Sequence, residues 1–235
     1  MRRSQGVADA RQAAREKLLD EQNLEFEAKR DGREISKIQT AMKKAEDLMS
    51  TPLLKAFNVR EESEEMRKEY GEGFGLNCLL ARRLVEAGVK YVEVGHGGWD
   101  THDNNFETVQ GNLGTLDPGV GALLKDLEQK SLLKDTMVVV MGEFGRTPEI
   151  NATNGRDHWC KCFSLALGGG GIPGGRLIGE TSADGMEIAR RGVSVPELFA
   201  TIYSKLGIDP DGSYSVNTRK VPYAYRGKPI KELMA

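Results

Sequence analysis

The sequence predicts an α/β layer fold, a largely parallel sheet flanked by helices. Three observations carry this expectation. From residue 74 onward, strand-like and helix-like stretches alternate, the pattern of parallel strands joined by crossover helices. Thr136 to Met141 is a continuous β-branched and apolar run, the mark of a strand buried on both faces. Two segments that pair a carboxylate with glycine, at Trp99–His102 and at Glu143, follow two of the predicted strands, where sheets of this kind bind ligands.

The elements follow in order. Residues 7–50 read as helix, because Ala, Arg, Lys, Glu, Leu and Gln dominate and only Gly6 and Gly32 interrupt them. A narrow apolar stripe (Leu18, Leu19, Leu24, Phe26, Ile35, Ile38, Met42 and Leu48) is expected to pack this otherwise solvated segment. Thr51 and Pro52 open a second short helix as cap and first-turn residue. Glu61 to Tyr70 is a third helical stretch, ended by Gly71-Glu72-Gly73. Leu76, Leu79, Leu80, Leu84 and Val85 then recur at helical spacing up to Gly88.

Lys90 to Val94 reads as a strand, Leu116 to Leu133 as a helix and Thr136 to Met141 as the buried strand. A further strand is expected at Cys162 to Leu167, a bend at Gly168–Gly171, and a hairpin through Pro173-Gly174-Gly175 to Ile178. Val195 to Leu206 is a helix with Ser194 as N-cap and Gly207 as C-cap. Tyr223 to Leu233 reads as an edge strand and turn. Residues 1–50 form one charged helical segment and residues 51–235 the α/β domain.

The totals exclude several classes of function. A net charge of −2 over 235 residues gives no field for nucleic acid. No apolar run approaches the roughly 18 residues of a membrane span. Met1-Arg2-Arg3 is followed by no apolar stretch, so no signal peptide is read. Cys78, Cys160 and Cys162 are an odd set without the spacing of a disulfide framework. Cys160 and Cys162 alternate across a strand and are read as packing residues rather than shared metal ligands.

Three segments carry the chemistry: Gly98-Trp99-Asp100-Thr101-His102, Gly142-Glu143-Phe144-Gly145-Arg146-Thr147-Pro148 and Gly155-Arg156-Asp157-His158-Trp159. All three histidines, His96, His102 and His158, lie in or beside them. Asp100 and His102, two apart on a loop, can point at one ion or serve as a turn cap and a surface histidine. Glu143, after an apolar strand, needs a metal or Arg146 as its partner. Arg146 can instead hold an oxyanion. His158 can ligate while Asp157 either orients it or faces the metal itself, or Asp157 can cap a turn and pair with Arg156. His96 is read equally as a hydrogen-bonded strand-end residue or as a ligand. The run Gly168–Gly171 lacks the Gly-Lys-Ser/Thr ending of a phosphate loop.

The stretches LLARRLVEAGVKYVEV, GGWDTHDNNF, DTMVVVMGEFGRTPEIN, GRDHW, LGGGGIPGGRLIGETSADG and VPELFATIYSKLGID resemble, over roughly residues 40–210, the bacterial "domain of unknown function 1501" family. That family is abundant in planctomycetes and is grouped with the alkaline phosphatase and sulfatase superfamily. The resemblance implies an alkaline phosphatase-like fold and a metal-dependent hydrolase of phosphate or sulfate esters, acting on a small anionic substrate. It implies Asp100, His102, Glu143 and His158 as ligands of a divalent ion (zinc, calcium, magnesium or manganese), Asp157 as a ligand or its support, and Arg146 or Arg156 on the oxyanion.

Two departures qualify that implication. Phe144 stands where the superfamily often has a histidine. The family's amino-terminal strand, with its glycine-rich motif, has no counterpart in residues 1–50, so the chain is expected to be the carboxyl-terminal part of the domain with an incomplete site. The alternative is a non-catalytic relic or interaction module that keeps the fold, with the charged helix at 9–50 binding a partner. Family members often carry a twin-arginine export signal, which implies a periplasmic location.

Overall fold

A computed structural model describes residues 9–29 and 33–234 of the chain. The chain divides into two units, Met1–Asn58 and Val59–Ala235.

The first unit holds helices α1 (Asp9–Lys29) and α2 (Arg33–Ser50), then a 3₁₀ turn over Pro52–Phe57. The Thr51 side chain accepts from the Leu53 amide, so the cap read from the sequence is in place. Six residues of the expected apolar stripe are not buried. Leu18, Leu19, Leu24, Phe26, Ile38 and Met42 are all exposed, which a mostly charged helix tolerates because its polar faces hold it in water. Met1 to Arg3, Gly6, Gly32 and the side chains of Ile35 and Leu48 lie outside the described residues.

The second unit is built on helices α3 (Glu64–Tyr70), α4 (Phe74–Glu86) and α5 (Asn105–Gln129). Tyr70, Cys78, Leu79 and Ala122 form its buried centre, with Met66, Phe74, Val94 and Leu123 packed around them. Arg82, 1% exposed, ties α4 to α5 and to the segment that precedes α3. Its Nε donates to Asp126 at 2.7 Å and its guanidinium reaches Glu86 at 2.6 Å and Glu62 at 2.9 Å. The Tyr70 hydroxyl donates to the same Asp126 oxygen at 3.0 Å. A buried guanidinium is tolerable only with such a set of carboxylates. Burial pushes the Cys78 thiol up to about 11, so it is not a nucleophile at neutral pH.

The parallel sheet expected from the sequence is not formed, and the alkaline phosphatase-like fold is thereby excluded. The strands among the described residues pair as four separate two-stranded antiparallel ladders. β1 (Met137–Val140) pairs with β4 (Ala166–Gly169), and β2 (Gly145–Arg146) with β3 (His158–Trp159). β5 (Glu180–Thr181) pairs with β6 (Ile188–Arg190), and β7 (Ser213–Val216) with β8 (Arg219–Pro222).

The reason lies in the connections. A parallel pair needs a crossover, usually a helix, packed back on the sheet. Here the chain between β1 and β4 contains no helix, only the β2–β3 ladder, so it returns antiparallel. Helices α4 and α5 pack on each other rather than on a sheet. Lys90 to Val94 alternates as a strand does, with Val92 and Val94 half-buried, yet it pairs with no other strand and seats Val94 on the helical core. All four β1 residues are only half-buried, so the apolar run is not a strand covered on both faces.

Other elements are local and were readable. α6 (Val195–Lys205) begins with Ser194 and Glu197 in a full capping box. The bend at Gly168–Gly171 is formed with positive φ at Gly169, Gly170 and Gly171. The expected hairpin around Pro173–Ile178 carries no ladder, and the hairpin falls at β5–β6 instead. Tyr223 to Leu233, expected as an edge strand and turn, carries no strand and ends in a 3₁₀ turn at Lys231–Leu233, while the β7–β8 hairpin lies just before it.

Candidate metal centre

The loop after Val94 reverses at Thr101. Its side chain is buried, 3% exposed, and donates to Asn105 Oδ1 at 2.5 Å, while its carbonyl accepts from the Arg156 amide at 3.0 Å. With Thr101 turned inward, Asp100 and His102 on either side face outward. This is the i, i+2 arrangement expected from the sequence, produced by a buried threonine between two polar neighbours.

The third segment is brought to the first by a tight backbone approach. Asn151 Nδ2 and Thr153 Oγ1 both donate to the His102 carbonyl, at 2.8 and 2.9 Å. Asn151 Oδ1 in turn accepts from the amides of Thr153 and Gly155, closing the turn. Gly155 passes so close that a Cβ there would lie 1.8 Å from the His102 carbonyl oxygen. The second segment joins through the β2–β3 ladder, in which Arg146 is the cross-strand partner of His158. Gly145 is required in that ladder, since a Cβ would meet the Cys162 carbonyl oxygen at 2.2 Å.

Asp100, His102 and His158 converge. Asp100 Oδ1 lies 3.0 Å from His102 Nε2 and 3.1 Å from His158 Nε2, and the two nitrogens lie 3.1 Å apart. An ion bound at about 2.0–2.2 Å needs donors about 3.0–3.5 Å apart on one face of its coordination shell. The triangle meets that requirement. Its three side chains are 71%, 46% and 52% exposed, so the remaining positions of such an ion would open to solvent.

The surroundings prepare these donors. His102 Nδ1 lies 2.7 Å from Asp157 Oδ1, and a carboxylate can only accept, so Nδ1 donates. The neutral ring therefore keeps its lone pair on Nε2, the atom that faces Asp100 and His158. The hydrogen bond from His102, then that from Asn151, holds the Asp157 carboxyl below its usual range. Arg146 donates to Asp100 Oδ1 at 2.5 Å. That bond, followed by the one from His158, holds the Asp100 carboxyl at about 2. The Phe144 ring packs at 4.5 Å against the His158 ring.

Asp157 thus supports His102 and is not itself in the triangle. Glu143 is exposed, outside the triangle, and has no ion pair among the described residues. Arg156 turns away from the centre. It donates to the carbonyls of Thr147 and Pro148 at 2.7 and 2.6 Å and lies 5.8 Å from the Phe106 ring centre, so it braces the loop. His96 accepts from Trp99 Nε1 at 3.0 Å and contacts Thr115 Oγ1 at 3.0 Å, which makes it a strand-end residue apart from the triangle. Cys160 and Cys162 are free thiols outside any metal-capable group among the described residues.

Two cavities accompany these features. The larger, about 470 Å³, lies among Leu177, Ile178, Arg190, Arg191 and Glu232. Its arginines are already paired with Glu180 and Glu232. The smaller, about 350 Å³, is walled by Phe144 and Arg146 and so adjoins the triangle. The residues that the sequence did not single out are Asn151 and Thr153, which act beside Gly155 of the third segment. Their signal was the composition of Asn151-Ala152-Thr153-Asn154-Gly155, typical of a side-chain-closed turn.

Residues 1–234 match the model of a protein family described as "Protein of unknown function (DUF1501)". The match takes in the charged helical segment as well as the stretches quoted above. No curated protein matches the chain, and no solved structure matches it.

Proposed function

The chain belongs to the DUF1501 family of proteins of unknown function, and we propose that its Asp100–His102–His158 triangle is a one-ion metal centre that hydrolyses phosphate or sulfate esters. The observation that carries this reading is the set of three mutual donor distances of 3.0–3.1 Å. The donors support the ion, and the ester class is taken from the resemblance of the sequence.

Two histidines and one carboxylate are a common donor set for a catalytic zinc ion with an open position. When bound, such an ion supplies Lewis acidity toward an ester oxygen. The chain's own residues do the rest. Asp157 keeps the His102 proton on Nδ1. Arg146 anchors Asp100, and its guanidinium, which lines the small cavity, has further N–H groups that can donate to an anionic oxygen.

The exposure of the three side chains supports a second reading, a module that binds the ion without turnover. One set of measurements tests both. Metal content and calorimetric zinc binding are compared for the wild type and for Asp100→Ala, His102→Ala, His158→Ala and Glu143→Ala. Aryl phosphate and aryl sulfate turnover is then followed with and without metal. One bound ion, lost in the first three variants and kept in Glu143→Ala, with metal-dependent turnover, is the expected result. Equal metal content in all five proteins would remove the centre. Metal binding with no turnover of either ester class would favour the binding module.

A further inference from the structure

We infer that the small cavity beside the triangle is a seat for the organic part of an anionic ester, and that it selects a compact aryl group. The inference deepens the reading of the triangle as a metal centre and rests on it for one of the two anchors of the anion.

The cavity shares two residues with the centre. Arg146 holds Asp100 and lines the cavity, and Phe144 packs on His158 and lines the cavity. A ligand in the cavity therefore touches residues that touch the donors. Its volume of about 350 Å³ is within the usual range of small-molecule sites, about 300–1,000 Å³. The wall is divided by chemistry. Phe144 and Phe163 supply aromatic surface, Ser164 and Thr181 supply hydroxyls, and Arg146 supplies the charge on the side of the donors.

That division dictates an orientation. The anionic head lies toward Arg146 and the triangle, and the organic group extends between Phe144 and Phe163. Phe163 lines the cavity and is 37% exposed, so it is open to contact from outside. An alkyl head too short to reach Phe163 gains none of this contact, so discrimination between aryl and methyl groups reads out the seat directly. Ring burial against two aromatic walls corresponds to a preference of about tenfold.

The test uses phenylphosphonate and methylphosphonate, which present the same anion and are not ester substrates. Their affinities are measured by calorimetry on the full chain, with zinc and without it, for the wild type and for Phe163→Ala. Zinc binding is measured on the same samples, and unchanged zinc binding by Phe163→Ala shows that the variant keeps its fold. The expected result is phenylphosphonate binding about tenfold tighter than methylphosphonate in the wild type, a ratio near one in Phe163→Ala, and unchanged methylphosphonate affinity. The aryl preference is expected to persist without zinc, with both affinities lowered.

The same aryl-to-methyl ratio in both proteins overturns the seat, as does failure of phenylphosphonate to bind. Absence of zinc binding by the wild type overturns the metal centre instead. In that case the zinc-free ratio still decides the seat, so the two failures are distinguishable.

Discussion

Arg146 and His158 face each other across the β2–β3 ladder and reach the same oxygen of Asp100, at 2.5 and 3.1 Å. A two-residue ladder thus delivers a fixed cation and a candidate ligand to one carboxylate. Removing the cation while keeping a polar side chain is expected to separate anchoring of anions from binding of metal. Arg146→Gln should weaken binding of inorganic phosphate about tenfold or more, because a charge-assisted hydrogen bond contributes about 1.5–3 kcal/mol. Calorimetry with phosphate and with zinc checks this. Phosphate affinity that does not change removes Arg146 from anion binding.

Asp157 fixes which nitrogen of His102 is free. In Asp157→Ala that constraint is lost and the ring is free to rotate or exchange tautomers. Loss of a carboxylate that orients a ligating histidine costs about 10–100-fold in metal affinity. Zinc titration of Asp157→Ala is expected to show a weakening in that range, with Glu143→Ala at wild-type affinity. Equal affinity in Asp157→Ala and the wild type would mean that the 2.7 Å bond to His102 has no part in holding an ion.

The site was more legible in the sequence than the fold. Asp100, His102, Asp157, His158 and Arg146 stood out because imidazoles and carboxylates gathered beside glycines, and the structure brings them together. Glu143 stood out for its place after β1, but a strand end does not say which way the next turn aims its side chains. Asn151 was missed because it acts on a backbone carbonyl 49 residues away, a contact with no periodic signature. The same limit applied to the sheet. Lys90–Val94 reads as a strand, and Val92 and Val94 are half-buried, but local composition says nothing of a neighbouring strand and none pairs with it. Helix caps such as Ser194 with Glu197 were readable because they close within four residues.

Gly155 is a packing requirement of the centre. A Cβ would fall 1.8 Å from the His102 oxygen, 2.1 Å from its carbonyl carbon and 2.6 Å from the Asp103 amide nitrogen, all of them backbone atoms. None can move as a side chain would. Gly155→Ala is therefore expected to cost at least about 3 kcal/mol, the upper part of the range for overpacked sites, and to lower zinc affinity by displacing His102. Denaturant unfolding and zinc titration check the two effects. A variant as stable as the wild type would show that the segments do not approach this closely in solution.

Glu62 sets an acid limit on the helical core. Burial pushes its carboxyl up, but hydrogen bonds from Arg83 and Arg82, with their charges, outweigh burial and leave it below its ordinary value. Glu86 behaves alike, with Lys130 and Arg82 as its partners. A group lowered on folding binds fewer protons in the folded state than in the unfolded chain. Its contribution is complete above the unfolded value, about 4.3, and is lost as pH falls through the lower folded value. Stability measured by denaturant should therefore hold level above about pH 5 and fall below about pH 4.3. Protonating Glu62 also leaves Arg82, at 1% exposure, short of one of its three carboxylates. Glu62→Gln is expected to be less stable than the wild type at neutral pH and to lose stability less steeply as the solution is acidified. Parallel stability–pH curves for the two proteins would mean that Glu62 takes no part in the acid response.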